Sequence, residues 1–236
     1  MIIVTILRTL LSYCLFVVLF IIFTPFWIIN VVVSKDWLFK SILFWQTWSL
    51  WNRLAIEILF LPITFIGQEN VSDESAIFVM NHQSGRDAWL IDRIFMSKPR
   101  VVLMKEKYVL SIFKTVSIPV DMSTPLKSTK SLLRAIKMLN DNPTLNVMIF
   151  PEGTRYSDGN IHDFFSGFVI LAKKTSRPVV PIRIFGMEKA YPRGSWLIHR
   201  VPITVVVGKP LVYQEGDTDE GFKERVHMWF VQQKKD

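Results

Sequence analysis

The stretch Ala76-Ile77-Phe78-Val79-Met80-Asn81-His82-Gln83-Ser84-Gly85-Arg86-Asp87 decides how the rest of the sequence is interpreted. Its first half, Ala76 to Met80, is an uninterrupted apolar run, which is typical of a strand buried on both faces of a sheet. Its second half is polar and contains a glycine, as expected where a strand gives way to a loop and a helix. The stretch therefore predicts one strand–helix unit of an α/β domain.

Similar elements recur from about residue 68 onwards. Apolar runs predict further strands at Val101 to Met104, Ser117 to Val120, Asn146 to Phe150, Val179 to Phe185 and Ile203 to Val207. Apolar residues at helical spacing predict helices at Leu126 to Leu139, Phe164 to Lys174 and Asp219 to Gln233. Strands that alternate with helices predict a mixed, largely parallel sheet covered by helices.

The N-terminal region differs in composition from this domain. The run from Thr9 to Ile29 contains no charged residue and is long enough to cross a hydrocarbon core of about 30 Å. A cleaved signal peptide would have a shorter apolar region and a small-residue cleavage site, which residues 23–27 lack. A buried core helix seldom stays apolar on all sides over this length. We therefore expect a retained membrane anchor.

A second N-terminal segment runs from Trp37 to Ile66. It combines four tryptophans with Lys40 and Arg53, which suits the boundary between lipid and water, although an aromatic-rich core helix has the same composition. Leu54 to Ile66 is apolar enough to re-enter a bilayer, and whether the segment spans or lies flat stays open. We expect residues 1–66 to form a membrane-seated helical element and residues 67–236 to form the α/β domain.

The composition excludes several classes of protein. Half of the 236 residues are apolar, which excludes intrinsic disorder, and the only cysteine, Cys14, excludes an intrachain disulfide and a zinc site built of cysteines. The net charge of +8 favours an anionic membrane leaflet and the cytoplasmic side of a membrane. The basic residues of the α/β domain are not interleaved with aromatic residues, so nucleic-acid binding is not favoured.

His82 and Asp87 are the first candidate catalytic residues. An imidazole can accept a proton at neutral pH and is a natural general base. Asp87 follows five residues later, which in one regular helix would separate the two side chains by about 140°. They can meet only if His82 lies in the turn and Asp87 in the first turn of the helix, where a carboxylate could orient the imidazole. The alternative is a turn histidine beside a capping aspartate.

A second polar cluster, Phe150-Pro151-Glu152-Gly153-Thr154-Arg155, follows the most apolar strand. Gly153 permits close approach of a ligand, and Thr154 and Arg155 offer hydrogen-bond donors that suit a phosphate. Lys105, in Lys105-Glu106-Lys107, is a further possible contact for an anion. A Pro-Glu-Gly turn with solvated basic residues is the alternative for these positions.

Together the two clusters resemble the glycerolipid acyltransferase family, whose best-known members are the 1-acylglycerol-3-phosphate acyltransferases. The first block of that family, Asn-His followed by four residues and Asp, is matched by Asn81, His82 and Asp87. The third block, Phe-Pro-Glu-Gly-Thr-Arg, is present unchanged from Phe150 to Arg155, and Val180-Pro181-Ile182 fits the fourth. The resemblance covers roughly residues 68 to 210.

The resemblance implies a function and a set of site residues. His82, oriented by Asp87, would take the proton of an acceptor hydroxyl, which attacks the thioester of acyl-CoA or acyl carrier protein. The most similar reaction converts lysophosphatidic acid to phosphatidic acid at the membrane. The substrate-binding residues would be Glu152, Gly153, Thr154, Arg155 and Lys105, with no metal and no cofactor beyond the acyl donor.

The sequence departs from the family pattern at two positions. Met122 stands where an arginine is usual in the second block, and Ser166 stands where a lysine is common. Each change removes a cation, so an acceptor other than lysophosphatidic acid, such as another lysolipid or a lyso-aminolipid, stays open. The non-enzymatic alternative is a membrane module that binds anionic lipid. A serine hydrolase is disfavoured because the sequence has no Gly-x-Ser-x-Gly motif.

Overall fold

The computed structural model describes residues 2–33, 41–95, 98–109 and 116–234. The helices are α1 (Ile2–Val33), α2 (Ile42–Glu57), α3 (Asp87–Phe95), α4 (Pro125–Asp141), α5 (Gly167–Thr175), α6 (Met187–Ala190) and α7 (Asp219–Gln232). The strands are β1 (Ile63–Ile66), β2 (Ile77–Met80), β3 (Arg100–Lys105), β4 (Ser117–Val120), β5 (Asn146–Ile149), β6 (Val179–Phe185) and β7 (Ile203–Val207).

These strands form one sheet in the order β1-β7-β6-β2-β5-β3-β4. Neighbouring strands are parallel except β6 and β7, which are antiparallel. The mixed, largely parallel sheet predicted from the sequence is therefore confirmed. The predicted helix at Phe164 begins later, at Gly167, because Phe164 belongs to the preceding loop, where it packs into the core.

The sheet has a hydrophobic core on each face because side chains alternate along a strand. On β2, Phe78 and Met80 pack into a core shared with α2, α3 and α6. Ile77 and Val79 point to the opposite face, which is covered by α4, α5 and α7. Both faces of the central strand are therefore buried, which explains its uninterrupted apolar sequence.

Helix α1 is long and apolar enough to cross a membrane from Ile2 to Ile29, and it is the one such helix in the described part of the chain. One of its faces packs on the α/β domain: Phe23 and Trp27 join a cluster with aromatic residues of α2. Polar residues near its N-terminus, among them Thr9 and Ser12, are buried as well. Most of the remaining surface of α1 is exposed and apolar.

The sequence leaves the second N-terminal segment open between a lipid boundary and a core helix. Trp45 and Trp51 of α2 are buried in the aromatic cluster with α1, as in the core-helix alternative. Leu54 to Ile66 is apolar enough to re-enter a bilayer, but its last residues, Ile63–Ile66, form edge strand β1, paired with β7. The sheet thus begins before the boundary expected at residue 67. Trp37 and Lys40 lie outside the described residues.

Candidate active site

The candidate residues meet at one edge of the sheet. His82 follows the end of β2, Lys105 ends β3, and Glu152 follows the end of β5. These three strands are parallel neighbours, with β5 between β2 and β3. Their carboxyl ends therefore open in the same direction, which is where open α/β sheets bind their ligands.

His82 and Asp87 are in contact. Nδ1 of His82 lies 3.0 Å from Oδ2 of Asp87, and the aspartate side chain is fully buried whereas the histidine is 22% exposed. Asp87 is the first residue of α3, and His82 lies in the preceding turn. This is the arrangement that the sequence predicts as the condition for contact between His82 and Asp87. A buried carboxylate at Nδ1 fixes the tautomer of the ring and leaves Nε2 to exchange a proton.

The backbone of the turn also holds the Asp87 carboxylate. The N–H groups of Gln83 and Ser84 donate to Oδ2 at 2.7 and 2.8 Å. These donors fix the position of the Asp87 side chain in the first turn of α3. The turn therefore holds the carboxylate against the imidazole. The ring itself stacks on Phe150, with 4.0 Å between ring centroids.

Glu152, which was expected to bind substrate, contacts the backbone on both sides of its loop. Its side chain is buried, and its two carboxylate oxygens accept hydrogen bonds from the backbone N–H groups of His82, at 2.8 Å, and His162, at 3.1 Å. Burial raises the pKa of Glu152, and these two N–H donors partly offset the rise. Glu152 is not among the residues that line the cavity described below. It links the histidine turn to the loop after β5.

The glycines next to these residues allow close packing. Gly153 has a φ of +64°, and a Cβ at this position would lie 2.8 Å from the ring of Phe165. A Cβ on Gly85 would lie 3.2 Å from Nη1 of Arg155. The guanidinium of Arg155 therefore rests against the same turn that carries His82, although the two residues are far apart in sequence.

His82 and Arg155 line one cavity of about 630 Å³. Its lining includes His82 and four of the expected substrate-binding residues: Lys105, Gly153, Thr154 and Arg155. The positions that depart from the family pattern, Met122 and Ser166, line it too. Within the described part of the chain the lining contains no Asp or Glu. The cavity thus combines His82, which contacts Asp87 behind it, with cationic side chains that no described acidic residue of the lining neutralises.

Arg193 also lines this cavity. Sequence reasoning missed it because it lies outside the motifs that carry the resemblance. The tripeptide Pro192-Arg193-Gly194 was the available signal, since it predicts a turn that exposes a basic residue.

The structure contains a second histidine–aspartate pair, outside the cavity lining. Nε2 of His162 lies 2.9 Å from Oδ2 of Asp158, and its ring stacks on Tyr156. The residues that the structure describes include no group of three or more His, Cys, Asp or Glu side chains that could hold a metal ion.

Comparisons with known proteins show the family to which the chain belongs. The family model described as Acyltransferase matches residues 62–185, more than half of the chain. The 1-acyl-sn-glycerol-3-phosphate acyltransferase of Limnanthes douglasii is 32% identical over 71% of this chain and 60% of its own length. The enzyme of that name from Pseudomonas aeruginosa is 26% identical over 78% of this chain and 73% of its own length. The chain thus spans less than two thirds of the first of these relatives.

A solved structure shares the fold over nearly the whole chain. The crystal structure of the 1-acyl-sn-glycerophosphate (LPA) acyltransferase PlsC from Thermotoga maritima aligns with a TM-score of 0.74, covering 98% of this chain and 95% of that one at 23% identity. That similarity concerns the fold, whereas the family match is a match of sequence over residues 62–185. On the family match, the chain belongs to the acyltransferase family.

Proposed function

We propose that this protein transfers a fatty acyl group from acyl-CoA or acyl carrier protein to the free hydroxyl of lysophosphatidic acid, giving phosphatidic acid at a membrane. One observation carries the proposal: the His82–Asp87 pair opens on the same cavity as Lys105 and Arg155. The names of relatives such as the enzyme from Limnanthes douglasii support the choice of acceptor.

The residues suggest a direct transfer without a covalent enzyme intermediate. Nε2 of His82 accepts the proton of the acceptor hydroxyl while the oxygen attacks the thioester carbonyl carbon. An ester C–O bond forms, the C–S bond breaks, and the imidazolium returns its proton to the leaving thiolate. Asp87, 3.0 Å from Nδ1, stabilises the positive charge that the ring carries between these steps.

The negative charge on the carbonyl oxygen needs a hydrogen-bond donor placed in advance. In the turn, the N–H groups of Gln83 and Ser84 already donate to Asp87, and that of Asp87 donates to the Ser84 carbonyl. The N–H of Gly85 makes no hydrogen bond within the described residues, and Gly85 lines the cavity. We assign the oxyanion contact to Gly85.

The acceptor phosphate is assigned to the positively charged side of the cavity. Lys105 and Arg155 line it and form no ion pair with a described residue. An arginine can bind two phosphate oxygens at once, which would fix the orientation of the glycerol hydroxyl relative to His82.

The acceptor is a membrane lipid, and α1 is the element suited to contact with a membrane. Its apolar outer surface, together with the net charge of +8, favours association with an anionic leaflet. Lys and Arg are typical of the cytoplasmic side, so we place the catalytic domain there.

The proposal is tested by incubating the full-length protein in detergent with acyl-CoA and a panel of lysolipids, and identifying the product by mass. We expect phosphatidic acid from lysophosphatidic acid. Product from another lysolipid alone would support the alternative acceptor suggested by Met122 and Ser166. Absence of any acylated product with acyl-CoA and with acyl carrier protein would contradict the proposal.

A variant is needed to distinguish the enzyme from a module that only binds anionic lipid. His82→Ala should abolish turnover and leave co-sedimentation with anionic vesicles unchanged, because the histidine lies in the cavity and not on the outer surface of α1. His162→Ala is the matched control, since it removes a histidine of the other histidine–aspartate pair. A module that only binds lipid would be unaffected by either change.

A further inference from the structure

Residues 190–199 form a loop that closes on itself at its base. The N–H of His199 donates to the carbonyl of Ala190 at 2.8 Å. At the tip, the N–H of Ser195 donates to the carbonyl of Pro192 at 3.1 Å, and Gly194 has a φ of +83°. This is a β-turn with Arg193 at its second position and glycine where positive φ is needed. The turn places Arg193 in the lining of the cavity that also contains His82.

Helix α1 holds the same loop in place. The hydroxyl of Tyr13 donates to the carbonyl of Trp196 at 2.8 Å, and the N–H of Ile198 donates to Oγ1 of Thr9 at 3.1 Å. On the other side, the guanidinium of Arg86, from the turn between His82 and Asp87, packs 4.5 Å from the ring of Tyr191. The loop is thus fixed between the N-terminal helix and the catalytic turn.

Arg193 is an available positive charge. It is exposed and makes no hydrogen bond or ion pair with any residue that the structure describes. Lys105 and Arg155 line the same cavity, whereas Met122 and Ser166 line it without a charge. A monoester phosphate carries a charge of about −1.5 to −2 at pH 7, so it gains from each further cation.

We propose that Arg193 contacts the phosphate of the acceptor and determines the preference for phosphate-bearing acceptors, in place of the cations absent at positions 122 and 166. This inference rests on the proposed function. A phosphate group also occurs in the donor, in CoA and in the phosphopantetheine arm of acyl carrier protein. The acceptor and the donor are therefore varied separately in the test.

The test compares full-length wild-type protein with Arg193→Ala, Arg193→Lys and Arg200→Ala. Arg200 is an exposed arginine just beyond the same loop and outside the cavity lining, so its substitution removes the same charge. For Arg193→Ala we expect the KM for lysophosphatidic acid to rise about tenfold or more, with kcat and the KM for acyl-CoA within about twofold. Arg193→Lys should recover part of the loss, and Arg200→Ala should behave as wild type.

An unchanged KM for lysophosphatidic acid in Arg193→Ala would overturn the inference, and so would a rise confined to the KM for acyl-CoA. Direct binding of radiolabelled lysophosphatidic acid separates this inference from the proposed function. If the wild type binds the lipid without turning it over, the proposed function fails, and binding at least about tenfold weaker in Arg193→Ala still supports the phosphate contact. Equal binding by the two proteins would refute it.

Discussion

The carboxylate of Asp87 is held through one of its oxygens, Oδ2. It accepts hydrogen bonds from two backbone N–H groups of the turn and lies 3.0 Å from Nδ1 of His82. All three contacts come from residues within five positions of Asp87. This is why the local sequence could predict the condition under which His82 and Asp87 meet, whereas the pairing itself was implied by the family resemblance.

Substitution of Asp87 by Asn tests the charge of this group while keeping its size. We expect kcat to fall by about 10³- to 10⁴-fold, because a neutral amide neither fixes the productive tautomer nor stabilises the imidazolium. The measurement is kcat with lysophosphatidic acid and acyl-CoA, with a thermal melt to show that the variant is folded. A folded variant whose kcat lies within tenfold of wild type would exclude the orienting role.

The positions of Glu152 and Arg193 relative to His82 could not be predicted from the local sequence. Glu152 lies inside a recognised motif, yet its oxygens accept from His82 and His162, and the first contact spans 70 positions of the chain. Arg193 reaches the cavity because a turn and helix α1 position its loop. Both facts depend on long-range contacts, which local spacing does not encode.

Among the elements of the fold, α1 is an apolar helix that also supports the loop at residues 190–199. Thr9 accepts the N–H of Ile198 at 3.1 Å and itself donates to the carbonyl of Thr5 at 2.7 Å. The hydroxyl thus links the helix backbone to the loop that carries Arg193. Burial of a small polar side chain costs free energy unless it forms such hydrogen bonds.

Thr9→Val should loosen this loop, because it leaves the buried N–H of Ile198 without an acceptor at nearly constant side-chain volume. A net hydrogen bond is worth about 1 kcal/mol, so amide exchange in residues 195–199 should accelerate at least about fivefold. Thr24→Val is the matched control, since the Thr24 hydroxyl donates at 2.6 Å to Phe20 of its own helix. Equal exchange in the Thr9 and Thr24 variants would show that α1 does not support the loop.

The elements themselves were predictable to different degrees. Strands β2 and β5 were predicted because both of their faces are buried, which makes them continuous apolar runs. Strand β1 was missed because Ile63–Ile66 follows the apolar end of α2 and continues a run that is also typical of membrane segments. Its burial alternates between half-buried and exposed, as on an edge strand, and four residues are too few for this alternation to stand out.

At the scale of the whole molecule, the apolar outer surface of α1 lies beside a domain whose cavity is lined by cations. Val17 and Ile21, one helical turn apart, are 56% and 65% exposed. An apolar helix surface that the fold leaves uncovered is explained by a lipid environment. The order of the seven described strands and the contact of α1 with the loop at residues 190–199 are long-range features and were not predictable from the sequence.

Val17→Glu combined with Ile21→Glu should weaken binding to anionic vesicles at least about tenfold, because burying each of these side chains contributes about 1.5–3 kcal/mol. Co-sedimentation with vesicles is the measurement. Met228→Glu combined with Val231→Glu is the control, since these exposed residues of α7 receive the same added charge away from α1. Equal loss of binding in both double variants would assign the effect to net charge alone.

The most direct test of the account is kcat for acyl transfer to lysophosphatidic acid in His82→Ala relative to His162→Ala. Both variants remove an imidazole paired with an aspartate, at 3.0 and 2.9 Å, but only His82 lines the cavity. If His82 is the general base, His82→Ala loses at least about 100-fold in kcat, while His162→Ala stays within about twofold of wild type. Wild-type turnover by a folded His82→Ala variant would contradict this role of His82.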